Sequence, residues 1–227
     1  MAMQISGVTI RGGVNLIPGG SSPAPTPSYS FQGSNYGYTS GGQPGTDVID
    51  KFPFSSDSNA TDVGNLTQAR YGAAGHSSDV SGYTSGGYAF SLYDVTNVID
   101  KFPFSSDANA TDVGDLIEEI YYPTGQSSDT SGYRSGGYDD NNPVSAYRDT
   151  IDKFPFASDG NATDVGDLTL TKREAAGQSS TASGYTSGGR TPSNVDTIDK
   201  FPFASDSNAT DVGNLTQARS ACAGQQY

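Results

Sequence analysis

One segment of eighteen residues occurs four times in this chain with almost no change, at intervals of about fifty residues. The first copy reads IDKFPFSSDSNATDVGNL, and the four copies occupy residues 49–66, 99–116, 151–168 and 198–215. A fixed period of this size indicates one supersecondary unit that is copied and packed against its neighbours. A residue present in every copy is expected to have a structural role first. The repeat therefore constrains the architecture more tightly than the function.

The composition narrows the class of protein and of partner. The hydrophobic fraction is only 33%, which is common in disordered chains, but Phe, Tyr, Ile, Val and Leu recur at strand-like spacing between turn residues and so favour a folded β-structure. The formal net charge of −13 repels phosphate backbones, so we expect no nucleic-acid partner. No apolar stretch is long enough to span a bilayer, and we expect no membrane insertion.

The single histidine and the single cysteine leave little for catalysis. His76 stands where the other copies have glutamine, which indicates an interchangeable polar strand residue, and Cys222 aligns with the small residue Ala73. One cysteine also excludes an intramolecular disulfide framework. Asp50 and Lys51, like their counterparts, are interpreted as structural ion-pairing residues. The sequence therefore predicts no catalytic residue and no cofactor, and an enzyme is the least favoured class.

The turn at residues 57–62 alternates oxygen-bearing side chains as calcium loops do. It lacks the central glycine and the distal glutamate of such a loop, and hydrogen bonds from these side chains to nearby backbone explain the pattern more simply. We therefore expect no metal site, with calcium binding by these turns as the alternative. The Asn-x-Thr sequons in the same turns are interpreted as by-products of turn chemistry.

Each copy divides into four short strands separated by turn residues. In the second copy we expect strands at residues 71–78, 82–87, 98–104 and 112–116, the second ending in a glycine pair. Pro103 cannot donate to a ladder, so a bulge or a free edge is expected there. An antiparallel meander of this kind must bury both faces, and radial stacking into a propeller does so.

The order of features in each copy resembles the kelch repeat: a small-residue strand, Tyr-x-Ser-Gly-Gly, a variable loop, an apolar residue followed by Asp, a turn, and an apolar residue three positions before Leu. The double glycines are residues 41–42, 86–87, 136–137 and 188–189. The kelch tryptophan and leucine correspond to Val63 and Leu66, Val113 and Leu116, Val165 and Leu168, and Val212 and Leu215; the following arginine corresponds to Arg70, Arg173 and Arg219, with Ile120 in the second copy. Tryptophan is absent, and phenylalanine replaces the kelch tyrosine of the third strand. The resemblance implies an all-β, four-bladed kelch-like β-propeller over residues 29–227.

The chain ends with a surplus copy of the first strand. Residues 218–227 (ARSACAGQQY) match residues 69–78 (ARYGAAGHSS) and then stop. The corresponding region of the first copy, residues 29–34, fits the pattern poorly. We therefore expect the C-terminal strand to complete the first blade and close the ring. The alternative is an open array that pairs with another chain through its ends.

The copies differ most between the double glycine and the next repeated segment, where they carry 6, 11, 13 and 8 residues. These loops should emerge on one face, and loops on a rigid frame often carry binding residues. The aromatic and polar side chains there suit a sugar or a protein partner. The predicted binding residues are Tyr88, Phe90, Tyr93, Tyr138, Asp139, Asn141, Tyr147 and Arg190. Neutral variation in exposed loops is the competing interpretation.

Residues 1–28 are not a repeat and form an N-terminal arm with a Gly/Pro/Ser linker. Met3, Ile5, Val8 and Ile10 belong to an alternating segment that could add a strand to another protein, and we expect them to anchor the chain. No secretory signal is recognisable. This opening, together with the near-identical DKFPF copies, is similar to virion structural proteins of marine tailed phages.

That resemblance implies a non-enzymatic virion component, part of the capsid decoration, the tail or its fibres. The arm would bind other virion proteins, the propeller would project or pack, and many copies would be present in the assembly. The location would be the virion, after synthesis in the host cytoplasm. The alternative is a carbohydrate-binding propeller that recognises a host-surface glycan through its variable loops.

Overall fold

The computed structural model of the protein describes residues 33–140 and 146–226, which form β-strands and no helix. The predicted all-β class is therefore confirmed, and no helix in this part of the chain could cross a membrane. In chain order the strands are β1 Tyr36–Ser40, β2 Val48–Pro53, β3 Thr61–Asn65, β4 Arg70–Tyr71, β5 Ala74–Ser77, β6 Ser81–Ser85, β7 Tyr88–Ala89, β8 Asp94–Val95, β9 Val98–Pro103, β10 Thr111–Asp115, β11 Thr124–Ser127, β12 Ser131–Asp139, β13 Ala146–Pro155, β14 Thr163–Asp167, β15 Ala176–Ser179, β16 Ser183–Ser187, β17 Arg190–Thr191, β18 Ser193–Asn194, β19 Thr197–Pro202 and β20 Thr210–Asn214.

Each repeat forms one antiparallel sheet, and we number these sheets modules 1 to 4. Module 1 has the order β1-β2-β3, module 2 β5-β6-β9-β10, module 3 β11-β12-β13-β14 and module 4 β15-β16-β19-β20. The first strands of modules 2 to 4, called the inner strands, lie beside one another. Two small sheets, β4-β7-β8 and β17-β18, include the segments that follow the double glycines. The four-stranded meander predicted from the repeat is thus present in modules 2 to 4.

Module 1 lacks an inner strand among the described residues. Its strand β1 pairs with β2 alone, and residues 220–226 form no strand. The expected pairing of the C-terminal segment with the first sheet of the same chain is therefore not present in this structure. The N-terminal arm, residues 1–28, lies outside the described residues.

The local irregularities follow from backbone chemistry. The double glycine ends β6 as expected, because Gly86 has a φ of +66° and the Gly87 amide donates to the carbonyl of Ile120 at 2.7 Å. The bulge expected at Pro103 lies instead in the fourth strand, between Asp112 and Gly114. Pro103 sits past the end of the β9–β10 ladder, so its missing N–H leaves no ladder bond unmade.

The apolar core lies between modules. Tyr83 of module 2 packs against Phe154 and Phe156 of module 3, with ring centroids 5.6 and 4.8 Å apart, and Ile99 and Leu116 join this cluster. The same arrangement recurs for Tyr38 with Phe102 and Phe104, and for Tyr133 with Phe201 and Phe203. Each module is therefore stabilised by its neighbour, as the repeat period predicts.

Polar contacts also repeat across each interface. Lys101 of module 2 pairs with Asp159 of module 3 at 2.8 Å, and the Asp115 amide donates to the Asn161 side chain at 3.1 Å. The equivalent ion pairs are Lys51–Asp107 and Lys153–Asp206. The turn side chains that raised the calcium alternative are thus used in contacts between modules.

A buried carboxylate provides the strongest polar link between modules. Asp100 is fully buried and accepts hydrogen bonds from Thr67, at 3.0 Å from the amide and 2.7 Å from the hydroxyl. It also pairs with Arg70 at 2.8 Å. Thr67 and Arg70 belong to the segment between modules 1 and 2, so one carboxylate of module 2 holds the end of module 1. A fully buried charge needs such a partner because its desolvation is costly.

The cation for this carboxylate comes from one of two positions. Module 3 has Ile120 at the position of Arg70, so the first source of a cation is missing. Its cation is Arg134, which stands at the position of Thr84 in module 2. Arg134 pairs with Asp152 at 2.6 Å. Before module 4 the cation is Lys172, which pairs with Asp199 at 2.8 Å. The assignment of the kelch-like arginine to Arg173 was therefore wrong. Lys172 is the fourth residue after Leu168, as Arg70 is the fourth after Leu66, and this register decides which side chain is buried.

Moving the buried cation between its two positions tests this account. Arg134→Thr should destabilise the chain by about 3–5 kcal/mol, because Asp152 stays buried without a cation. Adding Ile120→Arg should recover much of that loss, since the pair then copies Arg70 and Thr84 of module 2. The free energy of unfolding is measured by urea denaturation. A double variant no more stable than Arg134→Thr alone would contradict the account.

Candidate functional site

A continuous group of aromatic side chains covers the side of the molecule that bears the variable loops. We call it the aromatic face. Its members are Tyr71, Tyr88, Phe90, Tyr121, Tyr122, Tyr138 and Tyr147, with Arg173 among them. All are half-buried, so each ring has a packed side and a side open to solvent.

Strand pairing brings these rings together. The residues after a double glycine pair with the residues before an inner strand, so Tyr88 lies opposite Tyr71 and Tyr138 lies opposite Tyr121. Tyr147 then pairs with Tyr138 across the β12–β13 hairpin. Side chains directly opposite in an antiparallel pair are close enough for ring contact. Two variable segments of each module are therefore merged into one surface.

The ring contacts run across module boundaries. The centroid distances are 5.3 Å for Tyr71–Phe90, 5.4 Å for Tyr71–Tyr88, 6.3 Å for Tyr88–Tyr121, 4.7 Å for Tyr121–Tyr122, 5.7 Å for Tyr121–Tyr138 and 5.1 Å for Tyr138–Tyr147. Most of these pairs are tilted or edge-to-face, which is the favourable geometry for aromatic quadrupoles. The result is an extended surface of aromatic rings that runs across modules 2 and 3.

Arg173 gives this face a positive centre. Its guanidinium lies 4.4 Å from the ring centroid of Tyr138 and 5.5 Å from that of Tyr147, within cation–π range. Its Nη1 donates to the hydroxyl of Tyr121 at 3.3 Å, and Glu174 lies 3.4 Å from its Nε. The cation is thus held over the rings and partly neutralised from one side.

Burial favours the protonated hydroxyls of Tyr71 and Tyr121 by raising the pKa of each group. Burial raises the pKa of the Tyr121 hydroxyl; the charge of Asp140 raises it further and Arg173 opposes the rise. Burial also raises the pKa of Tyr71, with Tyr122 and Asp140 adding to the effect. The face therefore offers ring surfaces and protonated hydroxyls, a combination that suits a ligand with both C–H and O–H groups.

The predicted loop residues fall in several places. Tyr88, Phe90, Tyr138 and Tyr147 belong to the aromatic face. Tyr93 lies at the tip of a turn, is 83% exposed and has a φ of +52°. Arg190 pairs through its backbone with Arg173, and Asp139 forms an ion pair with Arg148 at 2.7 Å. Asn141 and the arm residues Met3, Ile5, Val8 and Ile10 lie outside the described residues.

Sequence reasoning missed four members of the face. Tyr71, Tyr121, Tyr122 and Arg173 precede the inner strands and were assigned to the frame. A usable signal was present, because the copies also differ here, reading Tyr-Gly, Tyr-Tyr and Arg-Glu at residues 71–72, 121–122 and 173–174. Only the pairing across the sheet shows that this second variable segment meets the first.

The candidate acid–base residues are part of the frame. The Nδ1 of His76 donates to the carbonyl of Gln126 at 3.1 Å, and its Nε2 accepts from the Ser85 hydroxyl at 2.8 Å. Gln126 makes the same contact to Ser135 at 2.9 Å, so the predicted interchange of histidine and glutamine is confirmed at this position. Burial lowers the pKa of His76 to about 4. Cys222 is half-buried with a free thiol.

Among residues 33–140 and 146–226, no three His, Cys, Asp or Glu side chains come together in a group that could hold a metal ion. In modules 2 to 4, Asp100, Asp107 and their counterparts are instead paired with Lys, Arg or Thr side chains. The chemistry that the described residues offer is therefore contact and hydrogen bonding at the aromatic face.

Comparison with known proteins supports the fold alone. No protein-family model and no curated protein matches the chain. Among solved structures, the chain is similar to that of YjhT, with a TM-score of 0.67 at 12% sequence identity. The match covers 81% of this chain and 64% of the YjhT chain, so the protein spans about two thirds of that structure.

The burial of His76 predicts a stability that depends on pH. The folded-state pKa of about 4 lies below the ordinary histidine pKa of 6.5, so the unfolded chain binds more protons in this window and stability falls as the pH falls through it. Between about pH 7.5 and 4.5 the loss due to His76 should be roughly 2–3 kcal/mol. His76→Gln, which copies modules 3 and 4, should remove this part of the loss in urea denaturation. Equal pH dependence in both proteins would contradict it.

Proposed function

We propose that this protein is a non-enzymatic structural component of a phage virion, in the capsid decoration, the tail or its fibres. Its four modules are the blades of a kelch-like propeller that projects or packs, and the missing strand of the first blade is supplied by a C-terminal segment. The N-terminal arm, with Met3, Ile5, Val8 and Ile10, anchors it to other virion proteins. The protein is made in the host cytoplasm and is present in many copies.

The observation that carries this proposal is the use of the repeated charged residues as links between modules. Asp100 and Lys101, adjacent in one repeat, contact the preceding and the following module respectively. Their counterparts do the same at the other interfaces described above. Residues that hold a rigid array together are what a particle component needs, and they are no longer available for acid–base chemistry.

Incorporation into particles tests the anchoring arm. Ile5→Asp with Val8→Asp should abolish co-purification with virions, because charges would disrupt strand addition through the apolar positions. Gln4→Asp with Ser6→Asp adds the same charge at polar positions and should leave incorporation intact. Purified particles are analysed by quantitative mass spectrometry. Incorporation of both variants at equal levels, or absence of the unaltered protein from virions, would overturn the proposal.

The aromatic face favours a second candidate function, recognition of a host-surface glycan. Sugars present C–H faces that pack on aromatic rings and hydroxyls that accept or donate hydrogen bonds. The face offers both kinds of contact over several modules, with Arg173 as an additional donor. Its side chains come from the segments in which the copies differ, as a specific site on a repeated frame requires.

Glycan binding by the full chain tests this second candidate. Tyr88→Ala and Tyr138→Ala should each weaken binding about tenfold or more, since each removes a ring at the centre of the face. Tyr93→Ala is the matched control, because its ring projects from a turn tip, and it should change affinity by less than about twofold. A glycan array identifies the ligand, and titration gives the affinities. Lack of any glycan binding, or equal loss in all three variants, would reject this function.

A further inference from the structure

Module 1 contains a groove where the other modules have an inner strand. The groove has a volume of about 550 Å³ and is lined by β1, by β5 and by the rings of Phe54, Phe102 and Phe104. Its floor is the edge of β1, which has no second partner strand among the described residues. An unpaired strand edge of this kind is a template for another strand.

The inner-strand glycines show what is missing from the groove. A Cβ on Gly125 would lie 2.5 Å from the carbonyl oxygen of Gly75, and one on Gly177 would lie 2.2 Å from that of Gly125. Each inner strand thus packs so closely on the preceding one that only glycine fits. A Cβ on Gly75 would meet no atom within 4 Å among the described residues. In this part of the chain, no inner strand of module 1 therefore packs against Gly75.

The C-terminal segment, residues 219–226, matches an inner strand in sequence but forms no strand in this structure. A Cβ on Gly224 would lie 2.2 Å from the carbonyl oxygen of Gly177, which continues the glycine series. The Gly189 amide donates to the carbonyl of Arg219 at 2.9 Å, and the Ala221 amide donates to that of Glu174 at 2.8 Å. Equivalent bonds join modules 2, 3 and 4. The segment therefore stands where a fifth module would begin, with most of its residues exposed.

The two ends of the array also carry the separate halves of one Asp–Arg pair. The aspartate lies in module 1, and the arginine lies in the C-terminal segment. Asp50 is the counterpart of Asp100 but is half-exposed, and no cation pairs with it among the described residues. Module 1 has Thr39 where module 3 has Arg134, so its cation must come from a preceding module. The residue equivalent to Arg70 at the other end is Arg219, which is exposed and has no ion-pair partner in the described chain.

The Lys–Asp pairs and the apolar packing between modules are also incomplete at both ends, and each end has the half that the other end lacks. Among the described residues, Lys200 of module 4 has no aspartate partner and Asp57 of module 1 has no lysine partner, in contrast to the Lys–Asp pairs at the three interfaces. Phe52 and Phe54 are 37% and 54% exposed, whereas their counterparts in modules 2 to 4 are packed in the cores between modules. On module 4, Val212 is 51% exposed, whereas Val113 and Val165 pack against the following module.

We propose that module 4 and residues 219–226 of one chain bind module 1 of a second copy of this chain, head to tail. The second copy is the occupant because the two complementary surfaces lie at opposite ends of the array, and no strand pairing joins them among residues 33–140 and 146–226. The contact repeats the three interfaces inside the chain: Arg219 pairs with Asp50 of the partner subunit, and Lys200 pairs with Asp57 of the partner subunit. Heterologous contacts of this kind build rings or filaments. This inference shares with the proposed function the completion of module 1 by a C-terminal segment and names the chain that supplies it, but it does not depend on a role in a virion.

The register of the new strand pair follows from module 2. There Ala74 pairs with Ser85 in an antiparallel ladder. The equivalent pair joins Ala223 to Ser40 of the partner subunit. The Gly41 amide donates to Val48 of β2, so by alternation the backbone groups of Ser40 point into the groove and are available for this pairing.

An engineered disulfide tests both the partner and the register. With Cys222→Ser as the background, Ser40→Cys and Ala223→Cys should cross-link chains under mild oxidation, because opposite residues of a strand pair have a Cα separation suited to a disulfide. Tyr36→Cys with Ala223→Cys is the off-register control and should cross-link poorly. Non-reducing electrophoresis should show dimers and larger species only for the first pair. A cross-link within one chain, which would mean single-chain ring closure, would overturn the proposal, as would the absence of any cross-link.

Self-association of the purified full-length chain provides a second test. Light scattering coupled to gel filtration should show a dimer or a larger species that dissociates on dilution. Arg219→Asp and Asp50→Arg should each weaken the association about tenfold or more, and combining them in one chain should recover part of it. Arg190→Asp, in β17, is the matched charge control and should leave association unchanged. A monomeric full-length chain, or equal effects of all the charge changes, would overturn the proposal.

Discussion

The buried carboxylate that links each module to the one before it is the interaction on which the array depends. Asp100, Asp152 and Asp199 are completely removed from water, and such a charge is tolerated only when a cation and hydrogen-bond donors surround it. The segment before each module supplies a hydrogen-bond donor to this aspartate, namely Thr67, Ile117 and Thr169. The cation comes from the preceding segment for Asp100 and Asp199 and from the same module for Asp152. The apolar cores obey the same rule, since Tyr, Ile and Leu of one module meet Phe side chains of the next.

The described part of the chain has an incomplete set of these contacts at each end of the array. Module 1 presents Asp50 and exposed phenylalanines, and module 4 with residues 219–226 presents Arg219 and a strand that belongs to no sheet. In module 3 the cation is Arg134 of the module itself, because Ile120 replaces the arginine of the preceding segment. Either side of an interface can therefore supply the cation. Because module 1 has Thr39, only the side represented by Arg219 remains. The ends are therefore matched by the same chemistry that holds the interior.

The aromatic face is formed by side chains that take no part in the buried carboxylate links. The repeated residues hold the modules together, whereas the segments before the inner strands and after the double glycines vary and carry the tyrosines. Strand pairing places both variable segments side by side, and Arg173 joins the rings of several segments through cation–π contact. A rigid frame and a variable surface are thus separated within each repeat.

The sequence by itself determined the all-β class, the four-stranded module, the double-glycine turns and four members of the aromatic face, because each depends on residues close together in the chain. It also showed that the C-terminal residues copy an inner strand. Only the tertiary structure decided that Lys172, and not Arg173, enters the core, that Tyr71, Tyr121 and Tyr122 join the face, and that the C-terminal segment packs on module 4 without reaching β1. These features depend on how successive sheets are placed against one another, and a repeat pattern specifies that each sheet has a neighbour but not where the series ends.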